Sequence, residues 1–159
     1  MTPRRLCLFL LAVCIGLASG CATLRRSSDD LTVSLVNLQP LDGTAFESRL
    51  ALTVRVTNTR PDPVRFAGAR HRLIVNGRSL GIAVTPESLE VPGLSTTTQE
   101  AAFTVGHIAL LPLLNELRTA PVARYEIEST FFGSGLSRDL AVRRGGQLDL
   151  SNLARAVAP

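Results

Sequence analysis

The stretch "GRSLG", Gly77 to Gly81, sets a serine in the G-x-S-x-G spacing of a nucleophile elbow, with Ser79 where an attacking hydroxyl would stand. Such a hydroxyl needs a base, and the base needs an acid to orient it. His107 follows, and Glu87, Glu90 and Glu100 lie between, in the order that hydrolases use. An elbow works only at a strand-to-helix turn in a parallel sheet. Here Ser79 follows Asn76-Gly77, a pair that supplies the positive φ angles of a tight hairpin, so it enters a second strand. No βαβ alternation surrounds it. The sequence reading is therefore of a chain with no catalytic residue.

Metal chemistry has as little to work with. His71 and His107 are the only histidines, and neither has an acid at ligand spacing. Both are read as ordinary surface or hairpin residues. Asp42, Glu47 and Asp62 are dispersed through turns, without the dense oxygen spacing of a calcium loop. A glycine-rich loop with an adjacent lysine is absent, so no nucleotide site and no cofactor are expected.

Cys21 is different. Arg4 and Arg5 precede an uncharged apolar run, Leu6 to Ala18, of 13 residues, within the roughly 7–15 of a signal-peptide h-region and short of the roughly 20 that span a bilayer. Ala18, Ser19 and Gly20 follow, then Cys21 and the abruptly polar Arg25 to Asp30. A cysteine directly after small residues resembles the bacterial lipobox, with Ala18 where leucine is commonest. That resemblance implies a diacylglyceryl group on the Cys21 thiol, cleavage before Cys21, and acylation of the new amine by a fatty acid such as palmitate. Each buried methylene contributes about 0.8 kcal/mol, so two or three chains make the anchorage effectively permanent. Residues 1–20 are thus expected to be a lipoprotein signal peptide, and 21–30 a lipidated N-terminus and linker.

Removing 20 of the 159 residues leaves 139, the size of one domain. Cys7 and Cys14 leave with the signal, so the mature domain has neither a disulfide nor a free thiol and must fold by packing alone. Of 17 basic residues, all arginine, Arg4 and Arg5 also leave, so 15 stand against 13 acids, a net +2. These arginines are scattered, and with one tyrosine and no tryptophan to stack on bases, no nucleic-acid partner is expected. Ala22 to Asp30 reaches at most about 30 Å, so the domain should sit close to its membrane.

The elements that would carry any site read as strands. In "RLALTVRVT", Leu50, Leu52, Val54 and Val56 face one way while Arg49, Thr53, Arg55 and Thr57 face the other. "HRLIVNGRSLGIAV" is a hairpin in which Leu80, Ile82 and Val84 alternate after the turn. Ala101, Phe103 and Val105 share a face, as do Tyr125, Ile127 and Phe131, and Leu140 and Val142. "LTVSLVNL" changes phase between Leu35 and Val36, the mark of a bulge. One segment breaks the pattern: Leu110, Leu113, Leu114 and Leu117 follow helical spacing, and Pro112 suggests a start around Leu111. This helix is expected to plug one end of an antiparallel sandwich, the other reading of its stripe being an amphipathic patch that touches lipid or a partner. The final residues, 148–159, are read as a C-terminal tail.

The run from Arg49 to Val84, followed by a proline-containing turn and "TTTQEAAFTV", resembles the late-embryogenesis-abundant (LEA) type 2 domain, also called the water-stress and hypersensitive-response (WHy) domain. Such domains show an alternating strand ending in Asn-Pro-Asn, a proline-containing segment, a strand ending in Asn-Gly, and a nearby Leu-Gly. This chain has Asn58, then Thr59 and Arg60 in place of Pro-Asn, and keeps Asn76, Gly77, Leu80 and Gly81. The resemblance covers roughly Leu31 to Arg144. It implies an all-β, fibronectin-III-like or immunoglobulin-like antiparallel sandwich with one short helix over 31–147, no established enzymatic activity, and a protective role in desiccation or other stress. Asn58, Asn76, Gly77 and Gly81 are assigned to turn geometry rather than to activity.

These readings together predict a non-catalytic bacterial envelope lipoprotein. It would be held on the membrane by acyl chains on Cys21, with envelope proteins as clients. Ala22 lacks the aspartate that commonly retains lipoproteins in the inner membrane, which favours the periplasmic face of a Gram-negative outer membrane. Two other classes remain: an accessory subunit of an envelope complex, and a binder of an apolar ligand between the sheets.

Overall fold

The computed structural model describes residues 29–44, 46–135, 138–151 and 153. The signal peptide, Cys21 and the linker to residue 28 lie outside the described residues. The elements are β1 (Leu31–Gly43), β2 (Glu47–Asn58), β3 (Val64–Val75), β4 (Arg78–Thr85), β5 (Leu89–Val91), β6 (Thr96–Gly106), α1 (His107–Thr119), β7 (Val122–Gly133) and β8 (Leu140–Asp149).

Alternation builds both layers. In β2, Leu50, Leu52, Val54 and Val56 are fully buried, and the residues between them face outward or sideways. β1, β2 and β6 form one antiparallel sheet in that order. β4, β3, β7 and β8 form the other, with β5 pairing the start of β3. The apolar faces close on each other around Phe66, Leu73, Ile127 and Phe131, and the rings of Phe66 and Phe131 lie 4.9 Å apart. β1 runs beside β8 and β4 beside β6, so each sheet edge is covered by its opposite layer. The fold is the expected all-β sandwich, with the helix α1 at one end.

Two phase changes shape it. β1 slips register between Leu35 and Asn37, so that burial passes from Leu35 to Leu38, and the phenolic oxygen of Tyr125 in the opposite sheet accepts the Leu35 N–H at 3.1 Å. In β4 the expected phase holds for Leu80 alone. Leu73 pairs with Gly81 and Ile74 with Ser79, leaving Leu80 as a bulged extra residue. Beyond it the faces exchange: Ala83 and Thr85 are buried, while Ile82 and Val84 are exposed. A period-2 pattern cannot survive an inserted residue.

α1 starts at His107, four residues before the position that Pro112 suggested. The His107 N–H donates to the Phe46 carbonyl at 2.8 Å, and Leu110, Leu113 and Leu117 all enter the core, so the first turn is drawn in by Leu110. Pro112 leaves only the Ile108 carbonyl without its helical donor. The Ile108 side chain projects into solvent on that side, where water can serve the carbonyl. Nor does 147 end the fold: β8 continues to Asp149, and Leu150 and Leu153 are buried.

Candidate functional site

The two asparagines that carry the resemblance each tie loops together, one at each pole of the sandwich. Asn58 ends β2 and is buried. Its amide N–H groups donate to the carbonyls of Asp62 at 2.8 Å and Pro92 at 3.2 Å, with that of Val91 at 3.4 Å, and its side-chain oxygen accepts the Arg60 N–H at 3.0 Å. The residues standing in place of Pro-Asn also have work to do. The Thr59 N–H and hydroxyl both donate to the Asp30 carbonyl at 3.0 Å, and the Arg60 guanidinium pairs with the Asp30 carboxylate at 3.3 Å. They clasp the chain where it enters β1.

At the other pole Asn76 (φ 48°) and Gly77 (φ 79°) make the left-handed pair of the β3–β4 turn. The Asn76 amide donates to Glu116 on α1 at 2.9 Å, and its oxygen accepts the Arg124 N–H of β7 at 3.0 Å. Arg78 and Asn76 hold the Glu116 carboxyl below the usual range. Gly81 faces β6, where an added Cβ would stand 2.4 Å from the Phe103 ring. All four motif residues thus sit in turns or at a packing seam.

Ser79 and His107, the residues that the G-x-S-x-G spacing would need as nucleophile and base, are not hydrogen-bonded to each other. Ser79 lies in β4 beside Ile74, Glu90 pairs with Arg65 at 2.9 Å, and Nε2 of His107 contacts Ser48 Oγ at 3.0 Å instead. No acid completes a triad with that pair among the hydrogen bonds of the described residues. No group of three or more histidine, cysteine or acidic residues among them could hold a metal ion.

His71 is a correction: it is a core residue, not a surface or hairpin one. It is fully buried on the inner face of β3, opposite Ser129 of β7, whose hydroxyl lies 2.8 Å from Nδ1, and its ring packs edge-on to Phe131 at 5.9 Å. Burial pulls its pKa down to about 4, and the neighbouring Gln99 amide opposes that shift without closing a hydrogen bond. Nε2 of His71, Oε1 of Gln99 and Oγ1 of Thr85 are all buried and unpaired. The signal was in the pattern, because His71 shares the phase of Leu73 and Val75, and Ser129 that of Ile127 and Phe131.

The described concavity, about 1060 Å³, is an open depression outside the sandwich, lined by Arg124, Glu126, Arg143, Gly145 and Gly146 among others. Large apolar side chains are exposed at the Asn76 pole, among them Phe46 (80%), Ile108 (86%) and Leu111 (61%), with Leu41 and Val122 also exposed at that end. No helix among the described residues is long and apolar enough to cross a membrane.

No family profile and no curated protein matches the chain. Solved structures do resemble it in fold. The solution structure of an Arabidopsis thaliana protein superposes with a TM-score of 0.52 at 16% identity, over 74% of this chain and 80% of that one. A protein proposed to be a late embryogenesis abundant (LEA) protein gives 0.43 at 13% identity, over 95% and 87%. A proposed lipoprotein of Bacillus subtilis gives 0.39 at 15%, over 76% and 38%. The first supports a shared sandwich fold, and at these identities the likenesses establish nothing about activity.

Proposed function

We propose that this chain is a non-catalytic bacterial envelope lipoprotein of the LEA type 2 (WHy) kind, anchored through acyl chains on Cys21 and protecting envelope components during desiccation or other stress. The observation that carries the reading is the order of parts. An apolar export segment ends in small residues and Cys21, and after nine intervening residues begins a packed sandwich whose motif asparagines hold loops together. Ala22, lacking the aspartate of inner-membrane retention, favours the periplasmic face of the outer membrane in a Gram-negative cell. Its partners are the bilayer, through the anchor, and envelope proteins as clients, and it uses no metal or cofactor.

Intact mass of the protein purified from its own membranes, beside Cys21→Ser, tests the anchor. The expected result is a chain beginning at Cys21 with added acyl mass, lost together with membrane fractionation in the variant. An unmodified soluble chain would sink the lipoprotein reading. An accessory subunit of an envelope complex is the second reading, favoured by the exposed apolar cluster around α1. The outer depression is open to solvent rather than enclosed between the sheets, which does not favour an apolar-ligand binder.

A further inference from the structure

The first half of α1 is apolar on every side. From His107 to Leu114 it carries no arginine and no acid; Leu110 and Leu113 enter the core, while Ile108, Ala109, Leu111 and Pro112 face outward. Ile108 and Leu111 lie one turn apart on the same side, and the Phe46 carbonyl caps the His107 N–H, which brings the Phe46 loop against them. A helix apolar all round is normally covered on both sides. Here, among the described residues, Ile108 and Leu111 on the outer side are exposed.

The chain itself narrows what could cover it. Asp30 leaves the sandwich beside Thr59, whereas Phe46 and α1 lie at the far end of β1, whose 13 residues measure about 40 Å at about 3.3 Å each. Ala22 to Asp30 spans at most about 30 Å, so a tip-down domain would lift Asp30 beyond the reach of a Cys21 anchor. That excludes the anchoring bilayer as occupant of the upright tip. A stable interface between two copies needs roughly 20–30 residues a side, far more than this cluster offers. Two copies joined tip to tip would also hold their anchors at opposite ends of a rod. What fits is a short, uncharged apolar stretch of another polypeptide.

We propose that Phe46, Ile108 and Leu111 form the docking site for apolar segments exposed by unfolding client proteins. This deepens the protective reading and rests on it. The anchor holds the opposite pole at the membrane, and the tip stands in the aqueous space where such clients occur. The absence of charge makes the contact tolerant of sequence, as a surface serving many clients requires.

The test uses the full mature chain with Cys21→Ser, so that no acyl group adds apolar surface. The probes are fluorescent, permanently unfolded carboxymethylated α-lactalbumin, vesicles of phosphatidylethanolamine and phosphatidylglycerol, and citrate synthase activity through drying cycles. Phe46→Ser/Ile108→Gln/Leu111→Gln removes the tip. Ile82→Gln/Val84→Gln removes exposed apolar surface from β4 instead, and both variants should keep the wild-type unfolding midpoint because every altered side chain is exposed. The expected result is binding of the unfolded chain that falls at least tenfold in the tip variant and not in the β4 variant, with loss of protection in step. Equal binding by all three proteins, or by none, overturns the proposal, as does tip-dependent binding to vesicles in place of the unfolded chain. Protection that survives loss of the tip overturns the site and leaves the protective reading standing. Tip-dependent binding with no protection keeps the site and sinks that reading.

Discussion

Two buried polar residues, Asn58 and His71, show how differently a core can treat hydrogen-bonding groups. Asn58 is satisfied on both sides of its amide. Asn58→Ala would strand the carbonyls of Asp62 and Pro92, and Asn58→Asp would set an acceptor against them. At about 1–3 kcal/mol per unsatisfied group, urea unfolding should show a loss of about 2–3 kcal/mol for alanine and more for aspartate. Equal midpoints would remove Asn58 from its keystone role. His71 is the opposite case, with one nitrogen paired and one orphaned. Its folded pKa of about 4 lies below the unfolded value of about 6.5, so the unfolded chain binds more protons between these values. Stability is therefore complete above about pH 6.5 and falls as pH drops toward 4. By linkage the loss between pH 7.5 and 5 is about 2 kcal/mol. His71→Gln, which keeps a hydrogen-bonding group beside Ser129, should remove that part of the slope. Parallel pH profiles for wild type and variant would show that His71 is not its source.

At the scale of elements, what was legible were the uninterrupted alternations. β2, β6, β7 and β8 follow the apolar phase of the sequence, and the bulge at Leu35 announced itself as two apolar residues in a row. The bulge in β4 could not be seen in the same way. "SLGIAV" reads as a regular strand, and only the pairing of Leu73 with Gly81 shows that Leu80 is surplus. Gly81 occupies an inner position so that the Phe103 ring can fill the space of a side chain, which no local pattern records. Pro112 misled for a physical reason: the core needed Leu110 more than the helix needed one hydrogen bond. Because that bond is the chief local cost, Pro112→Ala should stabilise the domain by about 1–3 kcal/mol, read as a raised melting temperature. An unchanged or lowered melting temperature would mean that the proline ring packs usefully where it stands. Of the candidate site, the turn roles of Asn76 and Gly77 were legible, as was a partner- or lipid-facing reading of the helix, whereas the outward residues Ile108 and Leu111 fall outside the leucine spacing, which described only the inner face.

The described sandwich, about 40 Å long along β1, is a short rod with unlike ends. One pole carries the emerging chain, clasped at Asp30 by Thr59 and Arg60, and the other carries α1 and the bare apolar cluster. If Cys21 is the anchor, the rod has a fixed polarity with respect to the membrane, because the tether is shorter than β1 is long. The mature chain has no other cysteine, so a single introduced thiol can report each pole in the lipidated protein reconstituted in vesicles with an acceptor dye in the bilayer. A donor at Asp62→Cys, beside the clasp, should transfer energy efficiently. One at Ala109→Cys should lie about 40 Å farther out and transfer little. Lengthening the linker by twenty glycine and serine residues removes the geometric constraint and should bring the two efficiencies together. Similar efficiencies with the native linker would mean that the rod lies flat on its membrane. The tip would then compete for the bilayer with any polypeptide, and the rod could no longer present its apolar pole to the space beyond.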